Sequence, residues 1–165
     1  MQQPATKSQS AHEPEICSEA EKGPTAAPSD AIQRAWVAVQ RVAPIIEEKV
    51  GAALSAAGFP ELSWYSVLWR LELSGQPTRP RDLGLLLFLP RYKLSRLIDR
   101  MEAEGLVTRL SCPEDARGHL LDLTPKGRAL RKAMWAVYGP AMSDAMGGID
   151  DEAALKLAEL LNRIA

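Results

Sequence analysis

The chain has 165 residues, 46% of them apolar and 25% charged, with 20 Lys and Arg against 21 Asp and Glu. That length makes one domain, at most one domain with an oligomerisation appendage, and the composition is that of an ordinary soluble globular protein. A net charge of −1 makes no case for nucleic acid by itself, and the longest apolar run, Leu83–Leu89, falls far short of the ~20 residues a bilayer requires.

Residues 1–28 are rich in Gln, Ser, Pro, Glu and Ala, lack apolar periodicity, and set Glu13, Glu15, Glu19 and Glu21 against Lys7 and Lys22. Such a segment buries too little surface to offset its ordering entropy, so a disordered tail is expected. Met1–Ser10 has no apolar core and is no signal peptide, which points to the cytoplasm. Ser29 or Asp30 then offers a helix cap. Behind it Ile32, Trp36, Val39, Ala43, Ile46, Val50 and Leu54 recur at steps of mostly four and three, an amphipathic helix with a near-heptad stripe. Pro44 predicts a kink in it, and Gly58 its end, so this segment covers 29–58.

A second helix is expected from Ser63, through Trp64, Leu68 and Leu71, to about Ser74, followed by a turn at Gly75-Gln76-Pro77. Pro80 opens a short third helix, Arg81–Phe88. After Leu89-Pro90 a fourth spans Arg91–Glu104, with Leu94, Leu97, Ile98 and Met101 on one face and Gly105 as its cap. Its first ten residues carry Arg91, Lys93, Arg96 and Arg100 against Asp99 alone, a local basic stripe of the kind phosphate backbones attract. The period then turns extended: Leu106–Leu110 and His119–Leu123 predict two strands, with Cys112–Gly118 as a turn-rich loop between them. Thr124-Pro125 begins a long helix bearing Leu130, Met134, Val137 and Met142, bent at Gly139-Pro140 and stopped by Gly147-Gly148. Asp150 caps a last helix with Leu155, Ala158, Leu161 and Ile164.

Short helices, a basic helix and a hairpin in this order make a winged helix-turn-helix over 60–124. The fold expected is mainly α with a small β-hairpin wing, flanked by helices over 29–58 and 125–165. The apolar stripes of those flanking helices exceed what one small domain covers, and their simplest burial is against the same surface of a second copy. A homodimer is expected.

The stretch Leu62–Met134 resembles the MarR family. The matching pieces are Trp64-Tyr65-Ser66-Val67-Leu68, then Leu94-Ser95-Arg96-Leu97-Ile98-Asp99-Arg100-Met101-Glu102 with Gly105-Leu106-Val107, then Cys112-Pro113-Glu114-Asp115-Ala116-Arg117-Gly118, and Leu123-Thr124-Pro125-Lys126-Gly127. Asp115, Arg117, Leu121, Leu123-Thr124 and Gly127, placed after a basic helix, are the most specific of these. The resemblance implies a dimeric, usually repressing transcriptional regulator whose terminal helices form the dimer interface and which a small aromatic or phenolic acid releases from DNA; a minority of the family senses oxidants through cysteine. Pro90 in place of a serine cap, Gly84 in place of alanine, Leu85 and Leu86 at usually polar positions, and Ala116 in place of a second arginine depart from the family pattern.

A recognition helix reads base edges from its exposed N-terminal half, which makes Arg91, Tyr92, Lys93, Ser95 and Arg96 the candidate readers of double-stranded DNA. Arg117 at the wing tip is suited to the minor groove, with Asp115 able to orient it. Arg70, Arg79, Arg81, Arg100 and Arg109 are candidate phosphate clamps. For a small aromatic acid the candidates are Trp36, Trp64, Tyr65, Trp69, Arg70 and His119, since aromatic walls with a few polar groups suit such a ligand. Cys17 and Cys112 match no disulfide or metal pattern; Cys112, near Arg109 and Arg117, is the alternative oxidant sensor. His12 and His119 stand apart with no nucleophile–base pair, metal cluster or phosphate loop, so neither an enzyme nor a cofactor is expected; the other alternative is a winged-helix protein-interaction module without DNA binding.

Overall fold

A computed structural model describes residues 27–164, apart from 88, 113 and 114 and the side chains of 115–117. The elements run α1 (Asp30–Ala56), α2 (Leu62–Ser74), α3 (Pro80–Leu86), α4 (Arg91–Ala103), β1 (Val107–Cys112), β2 (Asp115–Leu123), α5 (Pro125–Ala145) and α6 (Asp151–Asn162). The fold is the mainly helical winged helix expected. Predicted caps recur: Ser29 accepts from the Ile32 amide, Thr124 from Gly127, and Asp150 from Ala153. Each satisfies an amide that the first helical turn leaves without a partner. α1 and α5 run through Pro44 and Pro140 as single helices. None of the helices among the described residues is long and apolar enough to cross a membrane.

Two clusters hold the chain together. The first joins α2, α3, α4 and the hairpin: Val67, Leu68, Leu71, Leu83, Leu94, Leu97, Ile98, Met101, Leu106, Val107, Leu121 and Leu123. All four apolar residues predicted for the inner face of α4 are in it. The second joins the C-terminal half of α1 to α2 and α5 through Val50, Leu54, Tyr65 and Met134. Tyr65, Tyr138 and Trp135 stack there, the two tyrosine rings 4.3 Å apart.

Burial pushes the Tyr65 and Tyr138 phenols above the ordinary tyrosine value of 10.0, and for Tyr65 this outweighs the opposing pull of Arg131. Their neutral forms are therefore favoured by folding. That contribution is complete below the ordinary value and disappears as pH rises through the raised one. The melting temperature should hold from neutrality to about pH 9 and fall above about pH 10; in Tyr65→Phe the alkaline fall should be shallower.

Three local expectations need correction. α1 ends at Ala56 rather than Gly58, which sits beyond the cap at φ 75, and α3 ends at Leu86, not Phe88; position 88 lies outside the described residues. The strands are longer than their alternating residues predicted, because backbone pairing continues into the polar stretch as far as Ser111 opposite His119, then shifts register so that Cys112 faces Asp115. A third strand-like contact went unpredicted: Thr78 and Leu121 exchange two backbone hydrogen bonds of 2.9 Å, tying the α2–α3 loop to the wing.

Of the α1 stripe only Val50 and Leu54 are buried by the chain itself. Ile32 and Trp36 are 61% and 62% exposed, and α6 buries none of its residues. The predicted tail, with His12 and Cys17, lies outside the described residues except at its end.

Candidate nucleic-acid interface

The basic helix α4 lies with Leu94, Leu97, Ile98 and Met101 in the first core, while Arg91, Tyr92, Lys93, Ser95 and Arg96 are all exposed. A helix turns 100° per residue, so positions 94, 97, 98 and 101 share a stripe and the others stand away from it. Gly84 in α3 brings the two helices close: a Cβ there would meet Leu94 Cδ2 at 3.3 Å. The helix-turn-helix thus presents the first turn and a half of α4 to solvent.

That end of α4 breaks the local rules of helix construction. Its N-cap is Pro90, which supplies no side-chain hydrogen bond, and no acid occupies the first turn. Arg91 and Lys93 instead add positive charge where the helix dipole is already positive. Unsatisfied amides and two cations at one helix end form a place where an anion is stabilising, and such a violation of local preference is characteristic of a functional site. Arg81, also predicted to contact phosphate, is exposed in the first turn of α3.

Other predicted contacts are spoken for within the chain. Arg100 donates to Glu61 at 2.6 Å and lies over the Trp64 ring, 5.8 Å from its centroid. Arg109 is bound to two acids of α4, Asp99 at 2.5 Å and Glu102. Both guanidinium groups already serve ion pairs within the chain. Arg79, a cation the sequence reading did not place there, donates to Cys112 Sγ at 3.4 Å. Cys112 is buried, with 7% of its surface exposed. Asp115 and Arg117 belong to β2 by their backbone, and their side chains lie outside the described residues.

The six aromatic-acid candidates are not brought together. Trp36 lies fourteen residues from Val50, ~21 Å along α1 at 1.5 Å per residue. Tyr65 is enclosed in the second core, Trp64 packs against the first, and Trp69 is exposed beneath the Arg70 guanidinium, 5.2 Å from its centroid. His119 is exposed on β2. A cavity of about 560 Å³ opens between α2, the α4–β1 turn and α5; Trp64 is the one candidate on its wall, beside Lys126, Leu106 and Leu130. Successive residues of α2 point 100° apart, so Trp64 and Tyr65 cannot share a face. Among the described residues no group of three His, Cys, Asp or Glu could hold a metal.

Two features with consequences for the site went unrecognised in the sequence. One is the Arg109 pairing, whose trace is an acid pair three apart on a helix followed by arginine in the next strand. The other is the reason for Gly127: a Cβ there would meet the Leu106 carbonyl oxygen at 2.2 Å.

Comparison with known proteins matches residues 58–118 to the MarR family. Among solved structures, AbsC, a MarR family transcriptional regulator from Streptomyces coelicolor, is 25% identical, with a TM-score of 0.72 over 85% of this chain and 95% of that one. Another MarR family regulator of Streptomyces coelicolor, solved in complex with DNA, is 21% identical with a TM-score of 0.74, covering 86% and 90% of the two chains. A mutant of MarR from E. coli complexed with operator DNA is 22% identical with a TM-score of 0.71, covering 81% and 95%.

Proposed function

From a chain that carries a MarR-family winged helix over residues 58–118, we propose a transcriptional regulator that binds double-stranded DNA as a homodimer and represses by occupying a palindromic operator. One observation carries this reading: the N-terminal end of α4 is uncapped, cationic and exposed, while its opposite face is packed into the core. Arg91, Lys93 and Arg96 enter the major groove and bond guanine acceptors or phosphates, Ser95 and Tyr92 touch the neighbouring edges, and Arg81 holds the backbone. Arg117 with Asp115 serves the adjoining minor groove. DNA complexes of two proteins with the same fold, at 21% and 22% identity, support the docking mode.

The second copy is argued from uncovered apolar surface. Ile32, Trp36, Val39 and Ile45 on α1, and Leu157, Leu160, Leu161 and Ile164 at and beyond α6, are each 39% or more exposed. Positions 157, 160, 161 and 164 follow the helical i, i+3, i+4, i+7 spacing of a packing stripe. Continuous apolar surface of this kind marks an association site, and an isologous pairing covers both stripes at once. Two copies related by a two-fold axis would place two α4 helices about one DNA turn apart, as a palindrome demands.

The test is selection of duplexes from a random pool by the full chain, followed by affinity titration over a range of salt. A palindromic sequence with half-sites about 10 base pairs apart and a steep loss of affinity with salt is the expected result. A protein that sediments as a monomer at micromolar concentration, or enriches no duplex at low salt, contradicts the reading.

A further inference from the structure

Arg109 sits midway along β1, opposite Leu121 of β2, and uses two separate guanidinium nitrogens on two separate acids. Nη2 donates to Asp99 Oδ1 at 2.5 Å and Nη1 to Glu102 Oε2. Asp99 and Glu102 are three residues apart on α4, hence on one face and one turn apart. β1 leaves α4 through Gly105, whose φ of 69 is open to glycine far more than to other residues. On the strand, side chains of alternate residues share a face, so Val107 and Arg109 look the same way. Val107 is buried in the first core, and Arg109 is 29% exposed with its charge already paired. Apolar packing and the Thr78–Leu121 bonds hold the hairpin as far as the Arg109–Leu121 pair, and the guanidinium adds a separate tie from β1 to α4.

We propose that Arg109 is a positioning residue that sets the wing against the recognition helix through Asp99 and Glu102, and does not itself contact phosphate. The proposal rests on the DNA-binding reading above. A planar fork gripping two points one turn apart resists both tilting and rotation of the strand about the helix, which a single ion pair or a lysine ammonium would not. The consequence is mechanical. Major-groove contacts from α4 and minor-groove contacts from the wing are made to one rigid duplex, so both form together only if the two elements are held at the spacing of adjacent grooves. Arg109 also offsets one of the two negative charges that Asp99 and Glu102 place beside α4.

The experiment uses the full chain and the duplex that the wild type enriches from a random pool. Arg109→Gln/Asp99→Asn/Glu102→Gln removes the clamp without leaving a net charge. It should bind about ten-fold more weakly, the loss of roughly one charge-assisted contact, keep the base preference and salt slope of the wild type, and lose hydroxyl-radical protection in the minor groove on the wing side. Wild-type affinity and protection in this variant would overturn the proposal. So would a salt slope that falls by about one in this variant, the mark of a phosphate contact. Arg109→Lys keeps the charge and loses the fork; its wing-side protection should weaken as well, and unchanged protection there rejects the clamp even if the triple variant does not fold. Failure of the wild type to enrich any duplex would instead sink the DNA-binding reading, so the two outcomes are told apart.

Discussion

Gly127→Ala should destabilise the protein by about 3 kcal/mol or more, although helix propensity alone predicts a gain of about 1 kcal/mol for the same change. Gly127 lies in the first turn of α5, where its amide donates to the Thr124 hydroxyl. A Cβ built there stands 2.2 Å from the Leu106 carbonyl oxygen and 2.7 Å from Leu123 Cδ1. The leucine side chain could rotate; the carbonyl cannot. It accepts from both the Thr124 amide, at 3.1 Å, and the Thr124 hydroxyl, at 3.0 Å, so moving α5 away breaks the bonds that seat the long helix on the winged domain. The two effects have opposite signs, and urea unfolding of the variant decides between them. A neutral or positive change in unfolding free energy would mean that the close approach of α5 to the α4–β1 turn is wrong.

The triple variant Arg91→Gln/Lys93→Gln/Arg96→Gln should lose DNA binding by about 10³-fold at moderate salt, with the log–log salt slope reduced by roughly two to three. All three side chains are exposed on α4, so their removal costs the fold little. Two of them oppose the helix dipole, and the unfolding free energy should therefore stay level or rise by about 0.5 kcal/mol. A protein that becomes no less stable while its function disappears is the signature of groups kept for a partner rather than for folding. Arg100→Gln is the control. Its guanidinium already serves Glu61 and lies over Trp64, so it should change the slope far less than any of the three. An equal slope change in Arg100→Gln, or retained binding in the triple variant, would move the interface elsewhere.

Much of this could be read one residue at a time. The inner face of α4 was visible because Leu94, Leu97, Ile98 and Met101 keep helical spacing among polar neighbours, and all four are buried. Ser29, Thr124 and Asp150 were visible as caps because a cap is a contact over three residues and needs no tertiary partner. The wing strands were underestimated where Ser111 and His119 pair, since a polar sequence says nothing about a ladder whose bonds are made by backbone alone. The aromatic-acid candidates pair aromatic walls with Arg70 and His119 as receivers of a carboxylate, yet Trp64 and Tyr65 are neighbours in sequence that a helix turns toward different cores.

Local spacing by itself determined which segments are helices, where they begin, which face of α4 turns inward and that its N-terminal end is cationic, because each of these depends on residues within a turn or two of each other. Only the folded chain decided which arginines are paired with acids of the same chain, how far the hairpin extends, and why position 127 has no room for a methyl group. Arg109 and Arg100 look like Arg91 and Arg96 in a list of charges; what separates them is an acid ten residues back for the one and thirty-nine for the other, distances along the chain at which only tertiary packing can bring two side chains within reach.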